Sequence, residues 1–137
     1  MTINDYKDKN EDYTNDNMKK LNILIAEDDE VSEMLARIMI EKYCNNILIA
    51  KSGTETVEIC KNNTDIDLIL MDIKMPLLDG YNATRKIREF NKEVIIIATT
   101  AFALTGDREK ALDAGCNDYL TKPLSQKRLD ELLKMYF

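Results

Sequence analysis

The stretch DLILMDIKMPLLDG (67–80) carries an apolar run, Leu68 to Met71, that stops on one acid, Asp72. A carboxylate at the mouth of a buried strand is costly unless something neutralises it. A second apolar run stops on AEDDE (26–30), which brings Glu27 and Asp28. A third, VIIIATT (94–100), stops on Thr99 and Thr100, and TKP (121–123) supplies Lys122. Three carboxylates brought together repel one another. Either one of them takes a proton, its pKa raised, or a divalent cation sits among them. Mg²⁺ suits one or two carboxylates plus waters, above all where a phosphate is also met. Acids, a cation, an amine and a hydroxyl around one aspartate suit phosphoryl transfer to carboxylate. Asp72 would be the nucleophile, and metal and Lys122 would stabilise the transferring charge.

Such residues lie far apart in sequence, so a fold must gather them. LNILIA (21–26), NILIA (46–50), DLILM (67–71), VIIIATT (94–100) and DYLT (118–121) read as five short strands. Between and after them come five helical stretches: 30–43, 52–60, 80–90, 105–115 and 125–137. In the first, Val31, Met34, Leu35, Ile38 and Met39 recur at helical spacing, a stripe expected mostly in the core, with Val31, Met34 and Leu35 close enough to the strand ends to meet a helical partner instead. Ser52 with Glu55 forms a capping box, Asp79 and Gly80 a cap and turn, and Gly115 a C-cap. The third helix should bury Ala83, Ile87 and Phe90, and the last Leu129, Leu132, Leu133 and Tyr136. Apolar strands without alternation are buried on both faces, as in a parallel sheet. Alternation with helices predicts an α/β, three-layer, doubly wound domain with strand order 2-1-3-4-5. Such sheets bind at the carboxyl ends of strands one and three, where the order switches. That rule brings Glu27, Asp28 and Asp72 together.

Residues 1–20 are polar and read as a disordered tail or linker, and residues 21–137 as one domain. The methionines, Met34, Met39, Met71 and Met75 among them, are expected in packing roles. A net charge of −6 argues against nonspecific nucleic-acid binding. No run is long enough for a membrane span and the N-terminus lacks an apolar leader core. Cys44, Cys60 and Cys116 lack CxxC spacing and read as reduced thiols, which fits a cytoplasmic location. The chain has no histidine. That excludes Ser-His-Asp and Cys-His hydrolases and His-ligated metals, and any phosphohistidine must come from another chain or module.

The motifs ILIAEDD (23–29), LILMDIKMPLLDG (68–80), IIATTA (96–101) and AGCNDYLTKPL (114–124) resemble the receiver domain of two-component phosphorelay proteins, over about residues 21–137. The resemblance implies a flavodoxin-like, CheY-like fold with Asp72 as phosphoacceptor. It implies Mg²⁺ held by Asp28, by Asp72, by the Lys74 backbone carbonyl and by Glu27 mainly through water. Thr100 would be the switch hydroxyl, Tyr119 the aromatic that changes rotamer with it, and Lys122 the phosphate contact before a cis Pro123. Asp29 then starts the first helix. Lys74 and Phe102 flank the site at positions that vary in the family, which leaves the phosphate lifetime open. The phrasing of the second and fourth motifs resembles receivers of hybrid sensor histidine kinases, with residues 1–20 as the linker and a free-standing receiver as the alternative. The implied partner is a histidine kinase or a histidine phosphotransfer domain, with no nucleic acid, no membrane contact by this domain, and a monomer or weak dimer. The chain would not be an enzyme beyond its own phosphorylation and dephosphorylation. A Mg²⁺ phosphatase needs a second acid where Lys74 stands, and a flavin protein needs a phosphate loop where EDDE stands. A receiver fold that no longer takes phosphate is the remaining alternative.

Overall fold

The computed structural model describes residues 19–101 and 106–137. The polar stretch 1–18, the start of the expected fourth helix at Thr105, and Phe102 lie outside them. Five strands, β1 Leu21–Ala26, β2 Cys44–Ala50, β3 Leu68–Asp72, β4 Ile95–Thr100 and β5 Asp118–Thr121, form one parallel sheet in the order β2-β1-β3-β4-β5. The helices are α1 Glu30–Ile40, α2 Gly53–Asn62, α3 Gly80–Arg88, α4 Asp107–Ala114 and α5 Gln126–Tyr136. No helix of the described residues is long and apolar enough to cross a membrane.

Successive strand side chains point to opposite faces, so the sheet divides two cores. Leu24, Ala26, Ile69, Met71, Ile96 and Ala98 pack with Val57 and Cys60 of α2, Ala83 and Ile87 of α3, and Ala111 of α4. Ile23, Ile25, Leu68, Leu70 and Ile97 pack with Ala36 and Ile40 of α1 and with Leu129, Leu132 and Leu133 of α5. The expected α5 leucines and the packing of Met71 and Met75 thus stand.

The helix starts follow local chemistry. The side chains of Asp29, Ser52, Asp79 and Ser125 accept from the backbone N–H groups of Ser32, Glu55, Asn82 and Arg128. Gly115 closes α4 in the left-handed conformation at φ 112°.

Four expectations are corrected. The helix expected over 30–43 stops at Ile40 and tightens into a 3₁₀ turn, Glu41–Tyr43. That turn brings Tyr43 under α5, where its hydroxyl donates to Asp130, while Gln126 donates to the Met39 carbonyl at 3.1 Å. Strand β2 starts at Cys44, not 46, because its opening residues Asn45 and Asn46 are exposed and polar. Most of the α1 stripe does not face the core: Val31, Met34, Leu35 and Ile38 are 49–65% exposed, Met39 alone of the five packs against it, and Ala36 and Ile40 are buried. The apolar arc of α1 is wide enough to hold both the Val31, Met34, Leu35 and Ile38 face and the Ala36 and Ile40 face, so period alone cannot choose the inner one. Phe90 likewise lies beyond the end of α3, 42% exposed, with the Lys61 ammonium over its ring.

Candidate functional site

The carboxyl edge of the sheet gathers the chemistry. The Glu27 amide donates to the Ala50 carbonyl at 2.9 Å, which carries β1 one residue further. Asp29 then caps α1, so Glu27 and Asp28 sit in the turn between strand and helix. Asp72 is the last residue of β3 and stands in register with Thr99 of β4. Ile73 donates to the Thr99 carbonyl at 3.1 Å, and Gly80 donates to the Ile73 carbonyl at 2.8 Å, closing the loop after Asp72. A Cβ on Gly80 would lie 2.4 Å from the Asp72 carbonyl oxygen, so glycine lets this loop fold back on the strand.

Carboxylate oxygens of Glu27, Asp28 and Asp72 lie within 4.8 Å of one another. Glu27 and Asp72 are buried and Asp28 is exposed. Lys122 reaches across from the end of β5, where its amide donates to the Thr100 carbonyl at 2.7 Å and its bond to Pro123 is cis. The Lys122 ammonium pairs with Glu27 and lies 3.4 Å from the Asp72 carboxylate. Burial raises the Asp72 pKa to about 7, with the adjacent Glu27 carboxylate adding to the rise and Lys122 opposing it. Burial works against the Lys122 charge, but the Glu27 and Asp72 carboxylates outweigh it and hold that pKa above its ordinary value. The centre therefore holds three acids against one amine. All its donors are oxygens, and it fits a hard divalent cation better than a transition metal.

Thr100 is buried at the end of β4, one residue past the partner of Asp72 and in register with Thr121 of β5. Tyr119 pairs with Ala98 and packs, half-buried, against the core shared by α2, α3 and α4. Lys74 is exposed, two positions beyond Asp72. The structure thus brings Glu27, Asp28, Asp72 and Lys122 into one cluster, with Thr100 at the same edge and Tyr119 further back on β5.

Two features of this edge escape sequence reasoning. The direct Lys122–Glu27 pair is one, because spacing placed Lys122 opposite the acids without assigning it a partner. Leu77 is the other. It is 85% exposed with a left-handed φ of 68° on the loop after Asp72. Nothing in Pro-Leu-Leu-Asp-Gly marks that conformation, which glycine or asparagine would normally signal.

The family model for the response regulator receiver domain matches residues 23–134. Hybrid signal transduction histidine kinase I of Dictyostelium discoideum is 40% identical over 119 residues, which cover 81% of this chain and 7% of that protein. The polar-differentiation response regulator DivK of Brucella ovis is 34% identical over 116 residues, 83% of this chain and 94% of DivK. The chain therefore spans a small part of the hybrid kinase and nearly all of DivK. Among solved structures, the receiver domain of Saccharomyces cerevisiae Ssk1, crystallised with the histidine phosphotransfer signaling protein Ypd1, superimposes with a TM-score of 0.79 at 35% identity, covering 87% of this chain and 90% of that one. The receiver of sensor histidine kinase PA1611 from Pseudomonas aeruginosa PAO1 gives 0.77 at 38% identity, covering 86% and 98%. That structure holds a magnesium ion in its active site cleft.

Proposed function

The chain belongs to the response regulator receiver family, and on that footing we propose that Asp72 accepts a phosphoryl group from a phosphohistidine on another chain or module. The observation that carries this reading is the convergence of Glu27, Asp28 and Asp72 with Lys122 at one sheet edge. An Asp72 carboxylate oxygen attacks phosphorus, the P–N bond breaks, and its electrons return to the imidazole, which takes up a proton. The product is an acyl phosphate on Asp72. Lys122, already beside Asp72, turns its ammonium to a phosphoryl oxygen. Thr100, at the end of β4, would donate its hydroxyl to another, and Tyr119, on the same face of the sheet, would shift with it.

Glu27, Asp28 and Asp72, with the Lys74 backbone carbonyl, would hold the cation. When bound, Mg²⁺ supplies positive charge to the carboxylates and the transferring oxygens. The PA1611 receiver with its magnesium ion supports this assignment.

The partner reading rests on the exposed α1 residues Val31, Met34, Leu35 and Ile38, which flank the acid turn. A continuous apolar face beside a polar site suits a helical partner that carries the histidine. The receiver domain of Ssk1, which shares this fold, is crystallised with the histidine phosphotransfer signaling protein Ypd1. Likeness to the Dictyostelium kinase favours origin in a hybrid kinase, and likeness to the response regulator DivK keeps the free-standing alternative.

Intact mass tests the chemistry. Acetyl phosphate with Mg²⁺ should add one phosphoryl group to the wild type and none to Asp72→Ala or in EDTA. Labelling that persists in Asp72→Ala would refute the reading.

A further inference from the structure

Helix α1 turns a whole row of large apolar side chains to solvent. Of the nine that are exposed among the described residues, Val31, Met34, Leu35 and Ile38 stand on this one helix. Their spacing is i, i+3, i+4 and i+7, so they form one continuous stripe. The other five, Leu77 and Phe90 among them, are spread over separate elements, as scattered surface residues ordinarily are. Ala36 and Ile40 already tie α1 to the core, so the stripe is not needed to hold the helix in place.

The stripe borders a hollow. A cavity of about 590 Å³ lies between α1 and the segment after β5, lined by Leu35 and Met39 on one side and by Pro123 and Leu124 on the other. Glu27 and Lys122 of the acid site line it as well. Projecting apolar side chains next to an apolar hollow make a surface that fits a copy of itself, which is what a two-fold contact requires.

The charges beside the stripe are self-complementary too. Glu30 in the first turn of α1 and Arg37 in the last are both exposed. Seven residues make about two turns, so they share one flank of the stripe. Glu33, between them, is taken by Lys51 and lies 3.7 Å from Arg37, which leaves the guanidinium half exposed. Two α1 helices packed antiparallel along the stripe set Glu30 of each copy opposite Arg37 of the other, twice by symmetry. Their helix dipoles are then opposed as well. A parallel pairing would set Glu30 against Glu30 and Arg37 against Arg37.

We propose that this chain self-associates through α1 as a two-fold pair with the helices antiparallel, the stripe of each copy meeting the stripe and cavity of the other. One helix face per copy falls short of the about 800 Å² per partner of a standard interface, so the pair is weak, with a dissociation constant on the order of 0.1 mM. On the docking proposed above for α1, a second copy and a protein donor compete for one face, and a paired copy is closed to the donor.

Sedimentation equilibrium of the full chain tests the association. The wild type should pass from mostly monomer at about 0.02 mM to mostly dimer at about 1 mM. Glu30→Arg and Arg37→Glu each set like charges face to face at both ends of the contact, and each should weaken the pair about tenfold. Glu30→Arg with Arg37→Glu in one chain restores opposite charges and should return to within about threefold of the wild type. Ile38→Lys, in the stripe, should stay monomeric throughout. All three positions are exposed, so the fold should hold. Dilution of the wild type should shift the backbone amide signals of α1 and Leu124 and leave those of α2 and α3 in place. A wild type that is still monomeric at about 1 mM overturns the proposal and leaves α1 to the donor alone. Association that survives Ile38→Lys also overturns it, since the contact would then lie on another face. So does a double variant that pairs no more tightly than the single ones.

Discussion

Without metal, the site should destabilise the fold as pH rises, and Asp72→Asn should abolish that loss. Burial and the neighbouring Glu27 hold the Asp72 pKa near 7, against 3.8 for an unperturbed carboxylate. A folded pKa above the unfolded one means that the native state binds the proton more tightly. The resulting stability is fully present below about pH 4 and is lost as pH rises through about 7. At about 1.4 kcal/mol per pH unit, the rise from 3.8 to about 7 sets a ceiling of about 4 kcal/mol on the loss. The amide in Asp72→Asn does not titrate, but it forfeits the ion pair with Lys122 at 3.4 Å. A net advantage of about 2 kcal/mol for the variant at pH 8 follows, falling towards zero or below at pH 4. Urea unfolding in EDTA, followed by circular dichroism from pH 4 to 8, measures both proteins, and taking their difference removes the titration of groups they share. Mg²⁺ should narrow the gap at pH 8 by stabilising the wild type more than the variant. A difference that stays flat with pH, or a wild type more stable than Asp72→Asn at pH 8, would refute the account of a repulsive centre.

Two further outcomes follow from packing. Arg88, half-buried, donates to the carbonyls of Gly115, Asn91 and Val94 and to the Asn117 side chain, at 2.7–3.2 Å. Arg88→Ala leaves several of these acceptors without partners and should cost about 3 kcal/mol in urea unfolding, and a loss under ~1 kcal/mol would show that water replaces the guanidinium. Ile38 is 63% exposed on α1, so Ile38→Lys should change stability by no more than about 0.5 kcal/mol, leave acetyl phosphate labelling intact and, on the docking proposed above, slow transfer from a phosphohistidine-bearing protein about tenfold. Unchanged transfer would remove α1 from the docking face.

The sheet was legible because its strands are short, β-branched and apolar, and because the acids fall where those runs end. Glu27, Asp28 and Asp72 are brought together by the sequence pattern itself, since strand order and the switch point fix which ends are adjacent. Caps were equally plain at Ser52, Asp79 and Gly115, where one side chain or one missing Cβ decides the matter. What escaped depends on contacts between distant segments. The inward face of α1 is set by Ile40, Tyr43 and their neighbours on α5, and no period within Glu30–Ile40 reveals it. The Lys122–Glu27 pair needs two loops 95 residues apart to meet. Leu77 takes its backbone from packing at Gly53 and Gly80, which no local propensity expresses.

The sheet also works as a partition. Side chains of one strand alternate between two cores that touch only through its thickness. Thr100 and Tyr119 lie on the side of α2, α3 and α4, whereas the exposed face of α1 belongs to the other. Substitutions on opposite sides share no packing neighbours, so their free energies should add. On the function proposed above, the α1 face and the pair Thr100 and Tyr119 would therefore vary almost independently, so a change of donor at α1 would leave the response to phosphate in place.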